Sequence, residues 1–197
     1  MTIATAILGA AGYTGQETLD RVLGHPELAL VALGSDSLAG QSASVLDPRL
    51  NGNVPAFVGN ESALVAGADL VFCCLDHERA ARLDPPDAVV VDLSGAHRLA
   101  QPALYAEWYG FQHPRPQELP EWSYAIPELF PPTGPLIANP GCYATAVLLA
   151  LAPLASVVDP SGVVVDAKSG VSGAGKGLRP TSHATAVLEN VSPYKVG

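Results

Sequence analysis

One cysteine in this chain stands where a thiol could act as a nucleophile. The stretch Asn139-Pro140-Gly141-Cys142-Tyr143-Ala144-Thr145 lies between a short apolar run, Leu136-Ile137-Ala138, and a long one from Ala144 to Leu154. The first run reads as a buried strand and the second as a buried helix of about three turns. Gly141 suits the tight turn between them. Cys142 then falls at or just before a helix N-terminus. The first backbone N–H groups there are unpaired and the dipole is positive, which favours the thiolate, the nucleophilic form. The competing reading of the same residue is a small buried cysteine that only packs.

A second constellation opens the chain. Ile3 to Leu8 reads as a strand, Gly9-Ala10-Ala11-Gly12-Tyr13-Thr14-Gly15 as a turn, and Gln16 to Leu23 as a helix stopped by Gly24-His25-Pro26. Strand, glycine-rich turn and helix is the setting of a dinucleotide site, where glycines let the backbone approach the pyrophosphate and the helix N-terminus faces its charge. Gly9, Gly12, Tyr13, Thr14 and Gly15 are the candidate cofactor contacts. A second strand, Leu28 to Leu33, leads into Gly34-Ser35-Asp36-Ser37. An NAD site often carries a ribose-binding acid here, about 20 residues past the glycines. Ser35 and Ser37 can instead hydrogen-bond a 2′-phosphate, which favours NADP. The sequence around Asp36 offers no Arg or Lys, and Asp36 itself reads as an ordinary loop residue.

The elements that must position these residues follow in order. Residues 47–60 read as a loop with one short strand, Ala56-Phe57-Val58, and Glu61 to Ala66 as a short helix. Asp69 to Cys74 reads as a strand with Cys73 and Cys74 packing on opposite faces. His77, just past it, is a candidate cofactor contact or a helix cap. Ala88 to Leu93 is a strand of the kind found in a parallel sheet covered on both faces. Residues 101–132 read as an irregular aromatic and proline-rich excursion over the sheet edge or the pocket mouth, with His113 in a surface loop. Gly162 to Lys168 reads as a further strand. Ser169 to Gly177 follows, where four glycines and two serines in nine residues make a candidate anion-cradling loop.

Composition narrows the classes. Of 197 residues, 48% are hydrophobic and 15% charged, which suits a folded, well-buried α/β protein. A net charge of −9 argues against a nucleic-acid partner. Three cysteines, two of them adjacent, give no disulfide framework and point, with no signal peptide, to a reducing, cytoplasmic setting. No apolar run approaches the ~20 residues that a membrane span needs. No metal-ligand set is expected.

Four stretches together resemble the N-acetyl-γ-glutamyl-phosphate reductases of the semialdehyde dehydrogenase family: Gly9 to Gly15, Val91-Asp92-Leu93-Ser94 with Arg98-Leu99, Asn139 to Thr145, and Lys168 to Lys176. Tyr124 to Leu129 and the terminal Asn190 to Gly197 add to the likeness. The chain departs from the family at Gly95-Ala96-His97-Arg98, where Ala-Asp-Phe-Arg is common, and at Asp76-His77, where Pro-His is common. The resemblance implies a doubly wound Rossmann-type parallel sheet over residues 1–145, followed at 146–197 by the start of an α+β catalytic and oligomerisation domain. It implies NADPH-dependent reduction of an acyl phosphate through a thioester on Cys142, in a homo-oligomer, as a step of arginine biosynthesis. Arg98, Asn139, Ser169 and Gly170 are the candidate substrate contacts, and Ser172 joins the cofactor contacts. A sibling reductase acting on aspartyl or aminoadipyl phosphate and a non-catalytic nucleotide-binding module are the alternatives. The general-base histidine of the family is expected beyond Gly197. His183, among Thr181, Ser182 and Thr185, reads as a helix cap. The chain is therefore expected to be a truncated piece that does not turn over alone.

Overall fold

The computed structural model describes residues 2–50, 52 and 54–193, so the terminal stretch of the resemblance lies, from Tyr194 on, outside the described residues. The chain divides into two compact units, Met1–Val165 and Asp166–Gly197.

In the first unit, seven strands form one sheet in the spatial order β3-β2-β1-β4-β5-β7-β6. They are β1 (Ile3–Leu8), β2 (Leu28–Gly34), β3 (Phe57–Val58), β4 (Leu70–Cys73), β5 (Val89–Asp92), β6 (Ser123–Tyr124) and β7 (Leu136–Ala138). Every pairing is parallel. β1 has β2 on one side and β4 on the other, so the winding reverses there and a crevice opens at the carboxyl ends of β1 and β4. The sheet is the doubly wound one that the strand pattern implies.

Alternation along the strands builds two cores. On one face Ala6 and Leu8 pack with Val71, Cys73, Val90 and the α3 residues Ala80 and Ala81, α3 being His77–Ala80 with Ala81 at its C-cap. On the other, Ile7 and Leu33 meet Phe57 and the buried stripe Leu19 and Val22 of α1 (Tyr13–Leu23). Cys73 and Cys74 do point to opposite faces, as packing residues would.

Several boundaries differ from the sequence reading. α1 begins at Tyr13, three residues early, because the first turn of a helix needs no apolar residue. α2 (Asn60–Leu64) likewise begins one residue early. Residues 101–132 hold a short helix, α4 (Leu104–Trp108), and β6, whose pairing to β7 makes this stretch the edge of the sheet itself. A two-residue strand has no periodicity to detect. His113 is buried, 8% exposed, among the rings of Tyr105, Phe111 and His97, not on the surface. α5 (Cys142–Leu151) starts at the cysteine and has no fully buried residue, although it carries no charge. Burial follows a helix's neighbours, not its composition alone. The strand expected over 162–168 does not form: residues 163–170 have no regular structure, and Val164 is 90% exposed. A strand exists only through its ladder, and no described segment pairs with this one. In the second unit His183 occupies the N-cap position of α6 (Ala184–Val187), without a side-chain cap hydrogen bond.

Asn60 ties the start of α2 to the turn after β1. Its side-chain oxygen accepts the Gly9 N–H at 2.9 Å, and it is only 5% exposed. Asn60→Ala strands that donor and is expected to lower unfolding free energy by about 1–3 kcal/mol, read as a lower urea midpoint at unchanged slope. An unchanged midpoint would show that the bond adds nothing.

Candidate active site

Parallel register aligns the strand ends. Leu8 lies beside Cys73, Cys73 beside Asp92, and Asp92 beside Ala138. The next residues, Gly9, Cys74, Leu93 and Asn139, therefore form a row along the carboxyl edge. Each of the last three hangs from its neighbour: Cys74 N–H donates to the Leu8 carbonyl at 3.0 Å, Leu93 to Cys73 at 2.9 Å, and Asn139 to Asp92 at 2.9 Å. The row is three strand spacings long, about 14 Å.

At one end is the glycine turn. Gly9 has φ +70°, and a Cβ there would lie 2.5 Å from the Cys74 carbonyl oxygen. A Cβ on Gly15 would lie 2.3 Å from the Gly9 carbonyl oxygen. These two glycines let the turn close on β4 and on its own helix. Gly12 differs: its Cβ position meets only the Gly9 oxygen, at 3.4 Å. Gly12 is the N-cap of α1 and supplies no side-chain cap, while Tyr13 and Thr14 are exposed beside it. Open backbone donors at a positive helix end form a cradle for a phosphate anion, and the residues present fit a dinucleotide pyrophosphate.

Beyond the turn, Ala10 N–H donates to the Gly34 carbonyl at 2.8 Å and brings in the end of β2. The Ser35 and Ser37 hydroxyls are 3.3 Å apart there. Asp36 is no ordinary loop residue. One carboxylate oxygen accepts the backbone N–H of Asn60 at 2.8 Å, and the other pairs with Arg79 of α3. The Asn60 hydrogen bonds and then Arg79 hold its carboxyl below the ordinary value. The cation missing from the local sequence is thus supplied by the fold, 43 residues on.

His77 is the first residue of α3, whose cap is Asp76, accepting the Arg79 N–H at 3.0 Å. The His77 Nδ1 accepts the Gly95 N–H at 2.8 Å, and its ring meets Tyr109 edge-on at 5.0 Å. A Cβ on Gly95 would strike that tyrosine at 2.2 Å. His77 so links the ends of β4 and β5 in the middle of the row.

The turn after β5 is wired from below. Buried Asp92 accepts the Ser94 N–H at 2.8 Å through one oxygen and contacts His97 Nδ1 at 2.6 Å through the other. The His97 ring stacks on Trp122 at 3.6 Å. Arg98, the next residue, donates through Nε to the Asn139 carbonyl at 2.7 Å and through an Nη to the Leu93 carbonyl at 2.8 Å. Its other Nη is 3.3 Å from where a Gly141 Cβ would be. Arg98 therefore clamps the turn that ends in Cys142. Asn139 turns its amide on the Pro140 carbonyl at 2.9 Å.

The three cysteines occupy different environments. Burial raises the Cys73 thiol well above its ordinary value and pushes Cys74 up to about 11, despite a hydrogen bond with Thr18. Cys142 is exposed, the first residue of α5, behind an N-cap glycine with no side-chain cap. Only this thiol combines access with a free helix start.

Ser169, Gly170 and Ser172 lie in the second unit. Gly170 caps a 3-10 turn over Val171–Ala174, closed by Gly173 N–H to the Gly170 carbonyl at 3.1 Å and Gly175 N–H to the Ser172 carbonyl at 3.0 Å. The whole loop is exposed. Sequence reasoning missed Asn60 and Arg79. Asn60, between Gly59 and Glu61, does carry the signature of a helix start. Nothing local announces that Arg79 meets Asp36.

Comparison with known proteins adds to this geometry. The family model described as "Semialdehyde dehydrogenase, NAD binding domain" matches residues 4–133, and "Semialdehyde dehydrogenase, dimerisation domain" matches residues 142–197. The chain is similar to N-acetyl-gamma-glutamyl-phosphate reductase of Salinispora tropica, 42% identical over 100% of this chain and 61% of that protein. It is 40% identical to the protein of that name from Acidothermus cellulolyticus, over 100% of this chain and 59% of that one. A rice relative named as probable and chloroplastic is 36% identical over 98% of this chain and 49% of its own length. The chain thus spans about three fifths of the length of the bacterial relatives. In fold it is similar to aspartate semialdehyde dehydrogenase II of Vibrio cholerae, with a TM-score of 0.61 and 20% identity, covering 89% of this chain and 49% of that one. No helix among the described residues is long and apolar enough to cross a membrane.

Limiting iodoacetamide at neutral pH is expected to alkylate Cys142 first and to leave Cys73 and Cys74 unmodified, as read by peptide mass mapping. Equal labelling of all three would contradict the assigned environments.

Proposed function

This chain belongs to the semialdehyde dehydrogenase family, and we propose that it forms the nucleotide-binding and nucleophile-bearing part of an N-acetyl-γ-glutamyl-phosphate reductase of arginine biosynthesis. The observation that carries this reading is the row itself: an exposed Cys142 at an uncapped helix start stands on the same sheet edge as an open glycine cradle. Relatives named for that activity at 42% and 40% identity support the choice of substrate.

In this reading the Cys142 sulfur attacks the acyl carbon of the acyl phosphate. A sulfur–carbon bond forms, the carbon–oxygen bond to phosphate breaks, and phosphate leaves with the electron pair. Bound reduced nicotinamide cofactor supplies the hydride that turns the resulting thioester to the aldehyde level. Cys142 is then the leaving group as the semialdehyde is released, since a thiolate serves both as nucleophile and as leaving group. Arg98 holds the Asn139–Gly141 turn and with it the approach of Cys142. Gly9, Gly12, Tyr13, Thr14 and Gly15 hold the pyrophosphate, and His77 lines the edge between the two ends. Ser35 and Ser37 support NADP as the cofactor. Ser169, Gly170 and Ser172 remain the proposed contacts for substrate phosphate and cofactor, on the strength of their exposed backbone donors.

The boundary between a cofactor domain at 1–145 and a second domain at 146–197 stays a proposal: the two matched models, 4–133 and 142–197, support a change a few residues earlier, and the compact units divide later, at Val165 and Asp166. The dimerisation-domain match supports a homo-oligomer. Three free cysteines support a cytoplasmic setting.

In the full-length protein, Cys142→Ser is expected to leave cofactor affinity unchanged and to cut NADPH-dependent reduction of the acyl phosphate by on the order of 10³-fold or more. Assays with N-acetyl-γ-glutamyl, aminoadipyl and aspartyl phosphates compare the possible substrates. Near-wild-type turnover by the variant would remove the thioester route, and preference for another acyl phosphate would reassign the substrate.

A further inference from the structure

An acid at the end of the second strand of a dinucleotide fold ordinarily accepts the ribose hydroxyls and repels a 2′-phosphate. Asp36 has the position for that role but not the freedom. One of its oxygens is held by the Asn60 N–H at 2.8 Å, at the start of α2, and the other faces Arg79. Its negative charge is thereby matched locally. Arg79 in turn is anchored through its backbone, since its N–H donates to the Asp76 cap at 3.0 Å, while its side chain is 52% exposed. α3 begins at His77, a few residues past Cys74, whose carbonyl packs against Gly9 of the glycine turn. The guanidinium therefore reaches Asp36, which lies between Ser35 and Ser37 in the turn after β2, on the side of β1 where an adenosine ribose would lie if the pyrophosphate is at Gly12.

An exposed ion pair is weak and yields to a better partner. A phosphate monoester is such a partner for arginine: it is dianionic near neutral pH and matches the planar fork with two parallel hydrogen bonds. The two serine hydroxyls, 3.3 Å apart, add neutral donors at the same place. We propose that Arg79 is the cofactor-specificity residue of this chain, exchanging Asp36 for the cofactor's 2′-phosphate, and that Asp36 is the resting partner of that cation, not a ribose-binding acid. The proposal rests on the reading of the glycine turn as a nicotinamide dinucleotide site.

The test titrates the protein with NADPH and with NADH, following cofactor fluorescence, in the wild type, Arg79→Gln and Arg79→Lys. Arg79→Gln is expected to raise the Kd for NADPH about tenfold or more while moving that for NADH by less than about twofold, and to flatten the salt dependence of NADPH binding. Arg79→Lys keeps the charge without the fork and should fall between. Adenosine 2′-monophosphate should compete with NADPH in the wild type and lose potency in Arg79→Gln. Coincident thermal melts for the three proteins exclude misfolding. Equal loss of both cofactors in Arg79→Gln, or no change in NADPH affinity, would overturn the proposal and leave the dinucleotide reading intact. A wild type that binds neither cofactor would instead remove the dinucleotide reading itself.

Discussion

Parallel register at the carboxyl edge is the constraint on which the rest depends. Because Leu8, Cys73, Asp92 and Ala138 are paired in sequence across four strands, the residue after each must emerge at the same level. Four turns distant in sequence are delivered to one line, each hung by a backbone hydrogen bond from the strand beside it. A one-residue slip in any strand would exchange its two faces and withdraw its turn from the line. Ile7 and Leu8, both fully buried in opposite cores, make such a slip costly. The cores thus hold the edge in place, and Ala10 and Cys74 belong to core and edge alike.

Backbone register places the turns, and a second layer of side chains stiffens them. Asp92 is 1% exposed and uses both oxygens inside its own turn, on Ser94 N–H and His97 Nδ1. His97 is clamped from the far side by the Trp122 ring. That fixes the backbone just ahead of Arg98, whose guanidinium then bridges the ends of β5 and β7. Where the resembled family commonly has Phe, this chain has a histidine, whose ring stacks on Trp122 and whose Nδ1 meets Asp92. At the other end, Asn60 does comparable work, accepting from Gly9 and donating to Asp36 with one residue.

Much of this was legible in the sequence where one local pattern sufficed. Strand, glycine turn and helix at residues 3–23, the apolar strands 28–33 and 88–93, and the turn ahead of Cys142 each carry their signal within a few residues. What escaped has a different physical origin. β6 is two residues long and exists only because β7 accepts it as a partner. His113 follows Gln112 and precedes Pro114, a surface context, yet the rings of His97 and Tyr105, with that of nearby Phe111, bury it. Val163, Val164 and Val165 have every local mark of a strand but no described partner. Arg79 and Asp36 meet across the crevice at β1 because α3 and the end of β2 both stand at that edge. In each case the deciding term was a long-range contact, which propensity and periodicity do not encode.

A net charge of −9 looks ill suited to the proposed phosphate site, but the kind of donor at this edge removes the conflict. Two helices, α1 and α5, present N-termini at this edge, and in both the N-cap is a glycine with no side-chain cap. A serine or aspartate there would satisfy one of the first-turn N–H groups and, in the second case, add negative charge. Glycine leaves them open and positive. Fixed backbone dipoles act within a few ångströms, where the surface carboxylates of an acidic chain are screened beyond roughly 8–10 Å at physiological ionic strength. Two cations that stand at the edge are already partnered: Arg98 on backbone carbonyls, Arg79 on Asp36. Local polarity is therefore set by where helices begin and by which side chains are already spoken for, so net charge says little about the anions this edge can hold.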